Sequence, residues 1–275
     1  MNKFKMILRR NYVTLNMDKV KKNRVNLEWV DNGNVGDSLG PVICDWMLAQ
    51  KGLNIDDSIQ RTTHLITCGS LVGAGSFDSV VWGSGIHVFA NVKSLLFKRY
   101  VRKYDVRAVR GPITRQILIG CGYDCKPLYG DPAVLMPYIY KPKVKKKYEY
   151  SAIIHYKNKD DLNLPAGCHR ISPATTDYQF IIDEICASKK ILSSSLHGII
   201  LAESYGVPTV FINTGGDVDD SLMKYYDWYF STNRRNIKIA SSFDEAIEME
   251  SMNLPNLSEM RADLVRSFPY DLWEK

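Results

Sequence analysis

The sequence predicts an α/β fold in which two Rossmann-like domains face each other across a cleft. Three observations predict it. Short β-branched apolar runs alternate with helix-like segments along the 275 residues, the pattern of parallel sheets covered by helices. That pattern breaks at Pro142 and the run Lys141, Lys143, Lys145, Lys146 and Lys147, where nothing apolar is available to bury. Polar and charged residues follow directly after predicted strands, which is where such folds hold ligands. The expected domains are 1–143 and 144–275.

In the first domain, 25–30 reads as a strand that ends in the loop from Asp31 to Asp37. A helix over 38–51 follows, with Gly52 as its stop. Further strands are expected at 64–68, 80–82 and 106–109, and Pro112 fits the first turn of the next helix. The second domain opens with a strand at 151–156. Thr176 and Gln179 form a capping-box pattern for a helix over 177–187. A short strand at 191–192, the serines Ser193, Ser194 and Ser195, a helix through Tyr205 and a strand at 207–212 come next. The aromatic run 225–229 reads as core packing in an amphipathic helix. Ser242 and Glu245 make a second capping-box pattern before a helix ending near Glu250, and a last helix at 258–266 is expected to return toward the first domain.

Composition narrows the class. A chain 45% hydrophobic and 24% charged argues against disorder. No run of about 18 apolar residues occurs, so no spanning helix is expected. The basic N-terminus lacks the apolar stretch of a signal peptide, which points to a cytoplasmic protein. The six cysteines contain no CxxC pair and read as reduced, buried thiols rather than a metal site. No cofactor is implied. The net charge of +6 favours anionic partners such as a phosphorylated small molecule or an anionic membrane face. Nucleic acid is not expected, because no aromatic-interleaved basic stretch accompanies the charge.

Four segments carry the candidate chemistry. Gly33-Asn34-Val35-Gly36-Asp37 lets backbone amides approach a ligand, although taken alone it reads better as a plain strand-to-helix turn capped by Asp37 or Ser38. Arg110, ahead of Gly111 and Pro112, can grip a ligand carboxylate or phosphate through two parallel hydrogen bonds, and a surface pair with a carboxylate of the protein reads as well. Gly130-Asp131-Pro132 reads as a turn in which a structural role for Asp131 is favoured over a catalytic one. Ser193-Ser194-Ser195-Leu196-His197-Gly198 places hydroxyls, amides and an imidazole at a helix N-terminus, an anion site with an acid–base group. His155 ends the first strand of the second domain and is expected to face the cleft. His64 and His87 read as structural histidines.

In this order and spacing, the four segments resemble the polysaccharide pyruvyl transferase family. The matching stretches are Gly33–Asp37, Arg110-Gly111-Pro112 with Thr114, Tyr129–Ala133, and Ser195-Leu196-His197-Gly198 running on to Ala202, Gly206, Val207 and Pro208. The resemblance implies a GT-B-like pair of domains and transfer of pyruvate from phosphoenolpyruvate, a co-substrate, to a sugar of a lipid-linked surface glycan. The product is a ketal, and the enzyme would work at the cytoplasmic face of the membrane. Under it, domain 1–143 holds the acceptor through Asn34, Gly36 and Asp37. Domain 144–275 holds the donor through Ser194, Ser195, Leu196, His197 and Gly198, with Arg110 reaching across. His197, Asp37 and His155 would move protons. One position departs: relatives carry Arg where this chain has Ser195, so the donor contact would fall to a hydroxyl, helix amides or a distant cation. Two other readings fit the residues. One is a GT-B glycosyltransferase with Glu203 on a nucleotide sugar, and the other is a non-catalytic glycan-assembly protein.

Overall fold

The computed structural model describes residues 20–30, 33–74, 78–87, 89–100, 103–154, 164–213 and 222–273. The first sheet takes its strands β1 (Val25–Glu28), β2 (Thr63–Ile66), β3 (Ser79–Trp82) and β4 (Tyr104–Ala108) in that spatial order. Every pairing is parallel. The intervening helices are α1 (Val35–Ala49), α2 (Phe89–Lys98) and α3 (Pro112–Gly120). A 3-10 turn at Pro132–Leu135 and the short α4 (Met136–Ile139) follow. All four residues of β2 and of β3 are buried, as expected for parallel strands covered on both faces.

Residues 140–147 lead to the second sheet, ordered β6-β5-β7-β8-β9 and also parallel. Its strands are β5 (Tyr148–Ile153), β6 (His169–Ile171), β7 (Ser188–Ser193), β8 (Thr209–Ile212) and β9 (Ile239–Ala240). Its helices are α5 (Tyr178–Cys186), α6 (Leu196–Ser204), α7 (Leu222–Ser231) and α8 (Phe243–Glu248), and α9 (Ser258–Ser267) is followed by a 3-10 turn at Tyr270–Leu272. The α/β class with two parallel sheets is therefore as expected. β6 and β9 have three and two residues, too few to show a strand period in sequence, and α2 was not anticipated at all.

Several helix starts differ from expectation. Helix α1 begins at Val35 because Asn34 caps it, its Oδ1 accepting from the Gly36 amide at 2.9 Å. Asp37 thus lies inside the first turn instead of capping. Helix α5 is capped by Asp177, whose Oδ1 accepts from Phe180 N at 3.0 Å, and not by the Thr176–Gln179 pair. At α8 the Ser242 hydroxyl accepts from Glu245 N as expected, while the Glu245 carboxylate reaches back to Ser241. Asp31, Asn32 and His155 lie outside the described residues.

The two sheets share one of three buried clusters. The largest buried cluster runs from Val25, Leu39 and Ile43 of the first half to Ile153, Ile199 and Trp228 of the second. Helix α9 packs back on the first half: the Trp82 indole N–H donates to Leu264 O at 3.1 Å, and Phe268 meets that ring edge-on at 4.9 Å. Arg261 on the same helix donates to Val134 O and to Ser204 O, each at 2.8 Å, joining both halves.

Candidate active site

The C-terminal ends of the two sheets face each other, and the candidate residues meet there. Helix α1 leaves β1 with its first turn against the second half, where Val35 N donates to Pro173 O at 3.0 Å. Helix α6 leaves β7 from the opposite side. Its cap is Ser195, which accepts from Gly198 N at 3.5 Å, while the Ser193 hydroxyl accepts from Ser195 N and donates to Ser195 O. This serine lattice fixes the turn that carries His197. Gly198 must lack a side chain, since a Cβ there would stand 2.6 Å from Ser193 Oγ. Leu196 is buried and anchors the turn from beneath.

His197 projects from that turn onto α1. A Cβ on Gly36 would lie 2.1 Å from its Nδ1, so the ring rests directly on the glycine backbone. Its other nitrogen, Nε2, points to Asp131 Oδ2 at 3.6 Å, too long for a hydrogen bond yet within ion-pair range. Asp131 is fully buried, and its Oδ1 caps the 3-10 turn by accepting from Ala133 N at 3.0 Å. Neither Asp131 Oδ2 nor His197 Nε2 has a hydrogen-bond partner among the described residues. A buried carboxylate oxygen and a buried ring nitrogen thus face each other with no hydrogen bond between them, an arrangement that native interiors rarely leave without a role.

Cys68 and Asp37 complete the neighbourhood. Burial pushes the Cys68 thiol well up from its ordinary range, helped by the Asp131 and Asp37 carboxylates nearby. The Asp37 carboxylate faces Gly69, its Oδ1 3.6 Å from where a Cβ would sit. Asn34, Gly36, Asp37, Asp131 and His197 therefore converge. Of the two roles the sequence leaves open for Asp131, one oxygen takes the structural one by capping the turn, and the other faces the imidazole. Among the described residues no three His, Cys, Asp or Glu side chains are grouped to hold a metal ion.

Arg110 is placed differently from the expectation that it grips a donor. Its side chain is 0% exposed. Nε donates to Asp227 Oδ2 at 3.2 Å, Nη1 to Ser70 Oγ at 2.7 Å and Nη2 to Ile86 O at 3.0 Å. Asp227 comes from α7 and also accepts from the amides of Ile113 and Thr114 and from the Thr114 hydroxyl. It thereby caps α3, whose own cap residue, Gly111, has no side chain to do so. Three N–H groups of the guanidinium are thus bonded within the protein, and the buried side chain braces α7. Helix α7 in turn holds the α6 turn, because the Tyr225 hydroxyl donates to Ser194 O at 2.6 Å.

Glu203 is likewise occupied. Arg234 grips it with two hydrogen bonds of 2.6 and 2.8 Å, and Trp228 Nε1 and Thr209 Oγ1 donate to it as well. His64 sits on β2 beside Glu28 of β1, 3.1 Å from its Oε1 and buried, away from the α6 turn.

The sequence model described as polysaccharide pyruvyl transferase matches residues 42–216. An uncharacterized protein of Acanthamoeba polyphaga mimivirus is 27% identical over 217 residues, covering 73% of this chain and 71% of the relative. The succinoglycan biosynthesis protein ExoV of Rhizobium meliloti is 25% identical over 206 residues, covering 72% of this chain and 61% of ExoV. Among solved structures, an uncharacterized protein of Klebsiella pneumoniae superposes with a TM-score of 0.51 at 14% identity, covering 87% of this chain and 98% of that one. That likeness concerns the fold.

Proposed function

Because the chain belongs to the polysaccharide pyruvyl transferase family, we propose that it moves pyruvate from phosphoenolpyruvate to a sugar of a lipid-linked surface glycan. The product would be a pyruvate ketal, with phosphate released. The observation that carries this reading is the buried His197–Asp131 pair at the junction of the two halves. In this proposal the halves work as a GT-B-like pair, with the acceptor on the first and the donor on the second. The six free cysteines suit a reducing compartment, and the reaction is assigned to the cytoplasmic face of the membrane.

Imidazolium at His197, balanced by Asp131, gives its proton to the methylene carbon of phosphoenolpyruvate. The neighbouring carbon becomes cationic and takes the first sugar hydroxyl, whose proton passes to Asp37. Phosphate then leaves with its bonding electrons and takes up the proton held by Asp37, which restores the carboxylate. The second hydroxyl closes the ketal, and its proton returns through His197. Charge forming on the donor meets the amides that open α6. Lys224 is assigned the cationic role that relatives give to arginine, since its ammonium lies over the ring of Tyr225, the residue that holds Ser194. The nucleotide-sugar reading needs a Glu203 carboxylate able to meet a ligand, and that carboxylate is filled by Arg234, Trp228 and Thr209.

Ligand-observed NMR with the purified protein tests the reading. Contact to the vinyl protons of phosphoenolpyruvate is expected, with transfer to a pyruvate methyl signal on extracted lipid-linked glycan. Both His197→Ala and Asp131→Asn should abolish that signal. Binding of UDP-sugars with none of phosphoenolpyruvate would sink it.

A further inference from the structure

Seven large hydrophobic side chains are exposed among the described residues, and three of them stand together at the end of α2. Leu96 is 46% exposed, Phe97 70% and Tyr100 78%. Leu95, by contrast, is fully buried and seats the helix on the first half. At 100° per residue, Leu96, Tyr100 and Phe97 fall on one outward arc, and exposed Lys93 lies among them. Arg99 donates to Cys121 O at 3.5 Å, so the last turn of α3 adjoins this face, and its Ile119 is 41% exposed. Four of the seven are thereby accounted for in one region.

Charge decides what such a face would meet. Residues 89–103 contain Lys93, Lys98, Arg99, Arg102 and Lys103 and no acidic residue. Asp105 is taken up by Arg107, and Asp78 accepts from Lys103 N, which leaves the exposed Asp124 as the acidic side chain nearby. The Arg99 guanidinium lies over the Tyr100 ring, 4.9 Å from its centroid, so cation and aromatic are presented together. Aromatic and aliphatic tips inside a basic collar match the acyl boundary and the anionic headgroups of a bilayer. Among the described residues no helix is long and apolar enough to cross one, so the contact would be peripheral.

We propose that the α2 face, through Leu96, Phe97 and Tyr100 with Lys93 among them and the exposed Lys103 three residues on in the chain, docks the protein on an anionic phospholipid surface. The proposal does not rest on the transfer chemistry, and its test reads lipid binding alone. The full chain is floated with vesicles of phosphatidylcholine carrying about 30 mol% phosphatidylglycerol, and with phosphatidylcholine vesicles as reference. Binding is expected to the anionic vesicles only and to weaken as salt rises. The double variants Phe97→Ser/Tyr100→Ser and Lys93→Glu/Lys103→Glu change exposed side chains, and their circular dichroism should match the parent. Each is expected to weaken binding by about tenfold or more. Failure to bind anionic vesicles at low salt, or equal binding by parent and variants, overturns the proposal. So does a dimer in sedimentation that Phe97→Ser/Tyr100→Ser abolishes, which would assign this face to a second copy of the chain.

Discussion

The imidazole of His197 rests on the backbone of Gly36, with no space between them for a methyl group. Two residues 161 positions apart (197 − 36) thus set each other's placement across the meeting of the two halves. Gly36→Ala must push the ring away from Asp131. The expected result is a loss of turnover of about hundredfold from misplacement, alongside about 1–3 kcal/mol of overpacking. Activity compared with urea denaturation separates the two effects.

Asp131→Asn isolates the second partner of the pair. The amide oxygen still caps Ala133, so the 3-10 turn is kept, but the negative charge facing His197 disappears. A fall in kcat of about 10²–10⁴ is expected with unfolding little changed. An unaltered kcat would remove Asp131 from the proton pathway.

How far the site could be read from sequence is clear from these residues. Spacing and residue type pick out the loops of Asn34–Asp37 and Ser193–Gly198, because glycine, capping residues and a histidine after a strand leave local traces. Partners distant in the chain leave none. Nothing near Arg110 reveals Asp227, so a strand-end arginine looks like a ligand clamp when it is a buried strut. Asp131 sits in a readable turn, yet only the folded chain shows that its second oxygen faces an imidazole. The fold divides the same way: most helices and buried strands are legible, while the helix α2 and the three- and two-residue β6 and β9 are not.

Asp227→Ala should be among the most damaging substitutions. It strands the Arg110 guanidinium in a fully buried site and removes the cap of α3. A loss of about 3–5 kcal/mol is expected for the broken ion pair, with about 1 kcal/mol more for the cap. Arg110→Met, which removes the charge and keeps bulk, should cost less. Equilibrium denaturation of both variants checks the order.

Glu203→Gln probes the neighbouring pair. It removes the charge that Arg234 grips twice in a buried setting, and about 3–5 kcal/mol of destabilisation is expected. A variant with unchanged stability but lost affinity for a UDP-sugar in calorimetry would return Glu203 to a ligand role.

Acid should loosen one surface clasp. The Arg107 guanidinium, hydrogen-bonded to Asp271, holds that carboxyl below the usual carboxylate range. A depressed folded value means that the stabilisation is present at neutral pH and above the ordinary aspartate range. It is lost as pH falls through the folded value. The pair is partly exposed, so about 1 kcal/mol or less is at stake. Denaturation midpoints of the parent and Asp271→Asn should differ at pH 7 and converge toward pH 3.

The return of α9 bears on how the chain comes to be folded as it is made. Trp82 emerges early in synthesis, while the carbonyl of Leu264 and the ring of Phe268 that enclose it are almost two hundred residues later. Ribosomes usually release domains that fold in turn. Here the first half leaves the exit tunnel with an indole face still open and must keep it from other chains until translation reaches α9. A chain truncated before residue 258 is therefore expected to be a chaperone client, and the released chain that carries α9 is not.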